Sequence, residues 1–204
     1  MQMQLALFNN GLHSIYHALE EIDKAESPVQ THREFDAVDH VIHWQDSQGR
    51  LSFYLEGYSK PPPVYCYKFA VLNLIHGLEL VLKSYLHEKT NISIFRGSNG
   101  YTISLHEAVK NVVEINLDLF NSEEKALIVA ASDIRNKMQH YEFMYELSEI
   151  RKLTRELYFL VAKIIKAFFD IELYKYFEFN QWTETDDRVA DIIQNLKLSQ
   201  HHEG

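Results

Sequence analysis

The 204-residue chain carries a net charge of −9, with 46% hydrophobic and 24% charged residues, a balance that can build a real core. That acidity excludes broad, nonspecific coating of nucleic acid and disfavours an anionic membrane surface as the main partner, although a local basic groove stays open. The lone cysteine, Cys66, excludes an intrachain disulfide and fits a reducing compartment.

The start, Met1-Gln2-Met3-Gln4-Leu5, lacks the basic-then-apolar order of a signal peptide. No run approaches the ~18 apolar residues of a membrane span. The expectation is a cytoplasmic protein with no membrane partner, folded as a single domain over 1–204. Seven glycines and four prolines, three of them at 61–63, favour long helices over many short strands.

Leu5, Phe8, Leu12, Ile15, Leu19 and Ile22 recur at three- and four-residue steps and predict a helix over 5–24, ended by Ser27-Pro28. Residues 38–58 change period. Val41-Ile42-His43-Trp44 and Leu51-Ser52-Phe53-Tyr54-Leu55 flank Asp46-Ser47-Gln48-Gly49, which predicts a β-hairpin packed on the helical body. After Pro61-Pro62-Pro63, residues 64–88 predict the most apolar helix, striped by Leu72, Ile75, Leu78, Leu82, Tyr85 and Leu86. In it Glu79 and Lys83 stand in the favourable order for a helical ion pair.

Residues 89–103 read as a loop. Ser104 and Glu107 have the spacing of a capping box for a helix over 105–116. Asn121-Ser122-Glu123-Glu124 marks another start: a cap, then acids in the first turn. This helix should run through Ala130 into Arg135–His140. Residues 146–176 predict a last long helix, and the tail is acidic from about 178, with a short helix over 186–197. The helices 64–88 and 146–176 should form most of the core.

The segment Arg135-Asn136-Lys137-Met138-Gln139-His140 has Arg and His separated by four residues, with Asn directly after Arg. An apolar helical run, Ala126-Leu127-Ile128-Val129-Ala130-Ala131, precedes it and a long helix follows. In these features, and in the upstream helix Leu78-Glu79-Leu80-Val81-Leu82-Lys83, the chain over roughly 64–175 resembles the HEPN family. A subgroup of that family has Tyr two residues after the His. Here that position is Glu142, with Tyr141 one residue earlier, so no role depending on that tyrosine is carried over.

The resemblance implies an all-α, HEPN-like bundle of four to five helices with the 38–58 hairpin as an insertion. It implies metal-independent endoribonuclease activity by 2′-OH attack, giving 2′,3′-cyclic phosphate ends, in a toxin or defence effector without a cofactor. It also implies a homodimer in which two motifs meet in a groove, and an antitoxin partner, nucleotidyltransferase-like or other. Histidine suits proton transfer near neutrality and arginine's fork suits phosphate oxygens, so His140 is the candidate acid/base and Arg135 the phosphate stabiliser. Asn136 is the candidate orienter. Lys137, Tyr141, Arg151 and Lys152 are candidate RNA contacts, the last two on a basic rim with Arg155.

Other readings stand beside these. Positions five apart lie about 140° apart on a straight helix, so Arg135 and His140 do not share a face by spacing alone. Arg135 can instead pair with Asp133 or Glu142, and His140 can be a polar surface group. A noncatalytic HEPN-like module that binds RNA or a partner protein is the alternative function. Glu79 either helps position Arg135 or His140, or pairs with Lys83 on the helix surface. His13 and His17, four apart, read as surface groups because no further ligand at suitable spacing completes a metal site.

Overall fold

The computed structural model of the chain describes residues 6–26, 41–45, 51–55, 63–90, 92–97, 101–116, 119–139 and 146–179. In chain order these form α1 (Leu7–Glu26), β1 (Val41–Gln45), β2 (Leu51–Leu55), α2 (Pro63–Lys89), β3 (Phe95–Arg96), β4 (Tyr101–Thr102), α3 (Leu105–Ile115), α4 (Ser122–Gln139), α5 (Leu147–Phe169) and α6 (Leu173–Phe179). The chain is mostly helical with a small antiparallel hairpin. The expected helix over 186–197 lies outside the described residues.

α2 is the axis of the bundle and touches α1, α3, α4 and α5. It opens with Pro63 as its first residue, where the missing N–H costs nothing. Its buried residues Cys66, Tyr67, Ala70, Val71, Leu74, Ile75, Leu78, Val81, Leu82 and Leu86 recur at helical steps and form one broad face, as expected for a helix packed against several others. By length and composition alone Tyr65–Lys89 could also cross a membrane, but 61% of its apolar window is buried inside the protein.

The principal partner of α2 is α1, which buries Leu7, Gly11, Leu12, Ile15, Ala18, Leu19, Ile22 and Ala25. α5 contributes less contact with α2 than expected from its length. The reason lies in two glycines at the crossing. A Cβ at Gly77 would sit 2.6 Å from Ile15 Cγ1 and 3.0 Å from the Gly11 carbonyl oxygen; one at Gly11 would sit 3.1 Å from Val81 Cγ2. Backbone approaches backbone there because neither residue has a side chain to hold the helices apart.

The helix starts follow the local chemistry. The Glu107 N–H donates to Ser104 Oγ (3.3 Å) and the Ser104 N–H donates to Glu107 Oε2 (2.9 Å), a reciprocal cap for α3. Asn121 and Glu124 make the same exchange at α4: Glu124 N–H to Asn121 Oδ1 (2.8 Å) and Asn121 N–H to Glu124 Oε2 (3.0 Å). The expected helix over 146–176 is two helices. Asp170 takes a left-handed conformation (φ 55°) and its N–H donates to the Lys166 carbonyl oxygen, closing α5 before α6 begins.

β1 and β2 pair antiparallel with Val41 opposite Leu55 and Gln45 opposite Leu51, so the expected hairpin forms. How its side chains pack lies outside the described residues. The segment expected as a loop contains the two-residue ladder β3–β4, with Phe95 opposite Thr102. Gly97, at φ 60°, turns the chain out of β3.

Candidate functional site

Met138, Ala131 and Ile128 turn into the core from α4 and fix its rotation. Arg135, one turn from Ala131 and Met138, therefore sits at the margin of the core, while Asn136 and Lys137 are exposed. The Arg135 side chain is 32% exposed, and Nη1 donates to Glu79 Oε2 of α2 at 3.2 Å. Among the described residues its partner is thus not the local acid Asp133 but a carboxylate 56 residues away, while Glu142, the other local acid considered, lies outside the described residues.

Glu79 is shared. Its other oxygen, Oε1, accepts from Lys83 Nζ at 2.5 Å, one helical turn along α2. Lys83 also donates to Thr102 Oγ1 of β4 at 2.8 Å. The Glu79–Lys83 pair expected on the helix surface does form, but Lys83 is only 5% exposed and Glu79's side chain 15%. Glu79 thus contacts both Lys83 and Arg135 in one cluster.

Arg151, at the start of α5, is differently engaged. Its Nε and Nη2 donate to the two oxygens of Glu26 at 2.8 and 3.0 Å. Nε also lies 3.3 Å from the Tyr67 hydroxyl, and the guanidinium carbon is 5.9 Å from the centroid of the Tyr67 ring. Tyr67 donates in turn to Glu26. Burial, reinforced by the neighbouring Glu26 carboxylate, pushes the Tyr67 phenol above its ordinary value. The bond to Tyr67 and the Glu26 charge likewise raise Arg151. This cluster ties the end of α1, the first turns of α2 and the start of α5 together.

Lys152 is exposed, as a substrate contact requires. Arg155, expected on the same rim, is instead buried in α5 at 5% exposure. His140 and Tyr141 lie outside the described residues, directly after the end of α4 at Gln139.

The other candidates among the described residues give no competing centre. His13 and His17 share a face of α1 with rings 5.8 Å apart, and His17 Nδ1 lies 2.6 Å from Glu20 Oε2. Among the described residues no group of three or more His, Cys, Asp and Glu could hold a metal ion. Cys66 is fully buried. Arg96 pairs with Glu107 at the start of α3. No family model, curated protein or solved structure matches this chain.

Of the residues singled out in the sequence, Arg135, Asn136 and Lys137 come together on the last turns of α4. Arg151 belongs to a separate cluster. The sequence did not disclose Thr102 or the sharing of Glu79 between two cations, because those partners come from different elements. The one local signal was the four-residue step from Glu79 to Lys83.

Proposed function

We infer that the chain is a metal-independent endoribonuclease of the HEPN type, acting as a toxin or defence effector. The observation that supports this reading is the state of Arg135: a partly exposed guanidinium, steadied from behind by Glu79 through one nitrogen, with its remaining donors uncommitted among the described residues. A guanidinium so held offers a fork to a phosphate without first breaking a strong bond.

In the reaction, the ribose 2′-oxygen forms a new bond to the adjacent phosphorus while the bond from phosphorus to the 5′-oxygen breaks. The 2′-OH proton passes to a base and a proton returns to the 5′-oxygen, leaving a 2′,3′-cyclic phosphate and a 5′-OH. His140 serves these transfers, since imidazole is both donor and acceptor near neutrality. Arg135 balances the charge that builds on the non-bridging oxygens, Asn136 orients the reacting groups, and Lys137 with Lys152 adds positive potential. The need for a 2′-OH restricts the substrate to RNA. A homodimer brings a second copy of the motif to the groove, and an antitoxin partner restrains the activity.

The test is incubation of the purified protein with mixed cellular RNA in EDTA, beside His140→Ala and Arg135→Ala, followed by end-group analysis. The expected result is cleavage by the wild type alone, with 2′,3′-cyclic phosphate ends. Binding of RNA with no cleavage of any pool would replace the nuclease by a noncatalytic binding module. Unchanged cleavage by His140→Ala would remove the assignment of that residue.

A further inference from the structure

We propose that Lys83 is a charge compensator: it neutralises Glu79 so that the positive charge of Arg135 is left available for an anionic ligand, a phosphodiester or phosphate group. The inference rests on the reading of Arg135 as the phosphate-binding residue and names the pair that sets its charge.

An arginine that merely ties two helices together is neutralised by the acid it meets, and a phosphate then gains little by approaching it. Arg135 meets a carboxylate that is already satisfied. Lys83 Nζ lies 2.5 Å from Glu79 Oε1, closer than the 3.2 Å from Arg135 Nη1 to Oε2. Lys83 is also nearly excluded from water, where a charge interaction is least screened. Among the described residues the cluster contains two cations and one anion, so one unit of positive charge is left over there, and it falls on the more exposed of the two cations. In a chain of net charge −9, a partly buried cluster with surplus positive charge is a local reversal of sign. A group that can complete it is an anion at the exposed face of Arg135.

Thr102 has a supporting part. By accepting from Lys83 at 2.8 Å it holds the ammonium against Glu79 and away from the ligand, so Lys83 acts through Glu79 and Arg135 rather than by touching phosphate. Glu79 and Lys83 are therefore positioning residues. The arrangement makes a prediction that a simple structural salt bridge does not: removing the lysine should hurt, and removing the glutamate with it should restore.

The test uses the full chain and four proteins: wild type, Lys83→Met, Glu79→Gln and the double variant Glu79→Gln/Lys83→Met. Inorganic phosphate is titrated while the Nε–H resonance of Arg135 is followed by NMR, and RNA cleavage is measured in parallel. Lys83→Met should weaken phosphate binding about ten-fold, because Glu79 then cancels Arg135. The double variant should return to within about three-fold of wild type, and Glu79→Gln should bind at least as tightly as wild type. If Lys83→Met does not fold, the other two proteins carry the test: binding by Glu79→Gln weaker than wild type would overturn the proposal. So would wild-type affinity in a folded Lys83→Met. Phosphate shifting Arg135 in the predicted order without any RNA cleavage would support the charge compensation and sink the nuclease reading. Cleavage and phosphate binding indifferent to Lys83 would do the reverse.

Discussion

Arg135 and Arg151 each reach a carboxylate on another helix, yet they are opposite kinds of arginine. Arg151 gives two donors to Glu26, approaches the Tyr67 hydroxyl and lies over the Tyr67 ring. Arg135 gives one donor, at 3.2 Å, to a carboxylate that Lys83 also holds. The first guanidinium is used up in joining three helices; the second, among the described residues, is held by one donor and left with capacity. An ion pair in itself therefore does not separate a working cation from a structural one. The number of donors committed, and whether the partner's charge is already balanced, does.

The sharpest way to break this contrast is to truncate each arginine. Arg135→Ala should lower RNA cleavage by about 100-fold or more, the scale for removing a donor that stabilises developing charge, while leaving the melting transition nearly in place. Arg151→Ala should do the opposite, with cleavage within about three-fold of wild type and a loss of about 1 kcal/mol on thermal denaturation. Equal losses of cleavage from the two variants would erase the distinction.

The next effect is structural. Gly77 lies two residues before Glu79, at the closest approach of α1 and α2. Gly77→Ala should cost about 1–3 kcal/mol by overpacking against Ile15 and the Gly11 carbonyl, read from chemical denaturation. Because it displaces the stretch of α2 that carries Glu79, cleavage should fall with it. A stable Gly77→Ala protein with full activity would show that the crossing does not set the Arg135 cluster.

Tyr67→Phe probes the other side. Losing the hydroxyl that donates to Glu26 should cost about 1 kcal/mol without touching cleavage. The smallest expected effect concerns a third committed cation. Lys163 donates to both oxygens of Glu124, at 2.7 and 2.8 Å, and to the Leu119 carbonyl oxygen. Burial alone would raise the Glu124 carboxyl, but the Lys163 bond and the capping N–H of Asn121 hold it below its ordinary value. Since folding favours the ionised form, the stabilisation is present at neutral pH and is lost as pH falls through the folded-state value, which lies below the ordinary glutamate value. Glu124→Gln should flatten that part of the acid-unfolding curve, by less than about 1 kcal/mol since Lys163 is half exposed.

What could be read from the sequence follows the range of the interactions. The ends of α2 and α3, the caps at Ser104 and Asn121, and the two strands of the hairpin depend on neighbours a few residues apart, and each falls within about two residues of its expected place. The break at Asp170 was hidden because a left-handed residue with an ordinary side chain leaves no glycine or proline to mark it. β3–β4 escaped because two residues per strand cannot display alternation. The dominance of α1 over α5 as the partner of α2 could have been suspected from Gly11 and Gly77, glycines placed inside strongly helical runs, where a glycine needs a packing reason. The site divides in the same way. The Arg135 motif is a local pattern and was visible. Its carboxylate partner, 56 residues away, was one of two readings of Glu79, whereas that of Arg151 lies 125 away, a separation at which composition and period carry no information.

The α1–α2 crossing has a consequence for how the chain is strung. Its tightest helix pair is formed by segments whose ends, Glu26 and Pro63, are joined by a long span that includes the β1–β2 hairpin. Closing a long loop costs free energy that grows only with the logarithm of its length, so lengthening or shortening that span changes the cost by about 0.6 kcal/mol per doubling. The length of that span is thus a minor part of the free energy of the α1–α2 pair; the eight buried residues of α1 are the major part. A peptide carrying α1 should be able to dock in trans onto a chain that begins at α2, which makes this molecule a natural candidate for a split, two-piece reconstitution with the cut placed between Glu26 and Pro63.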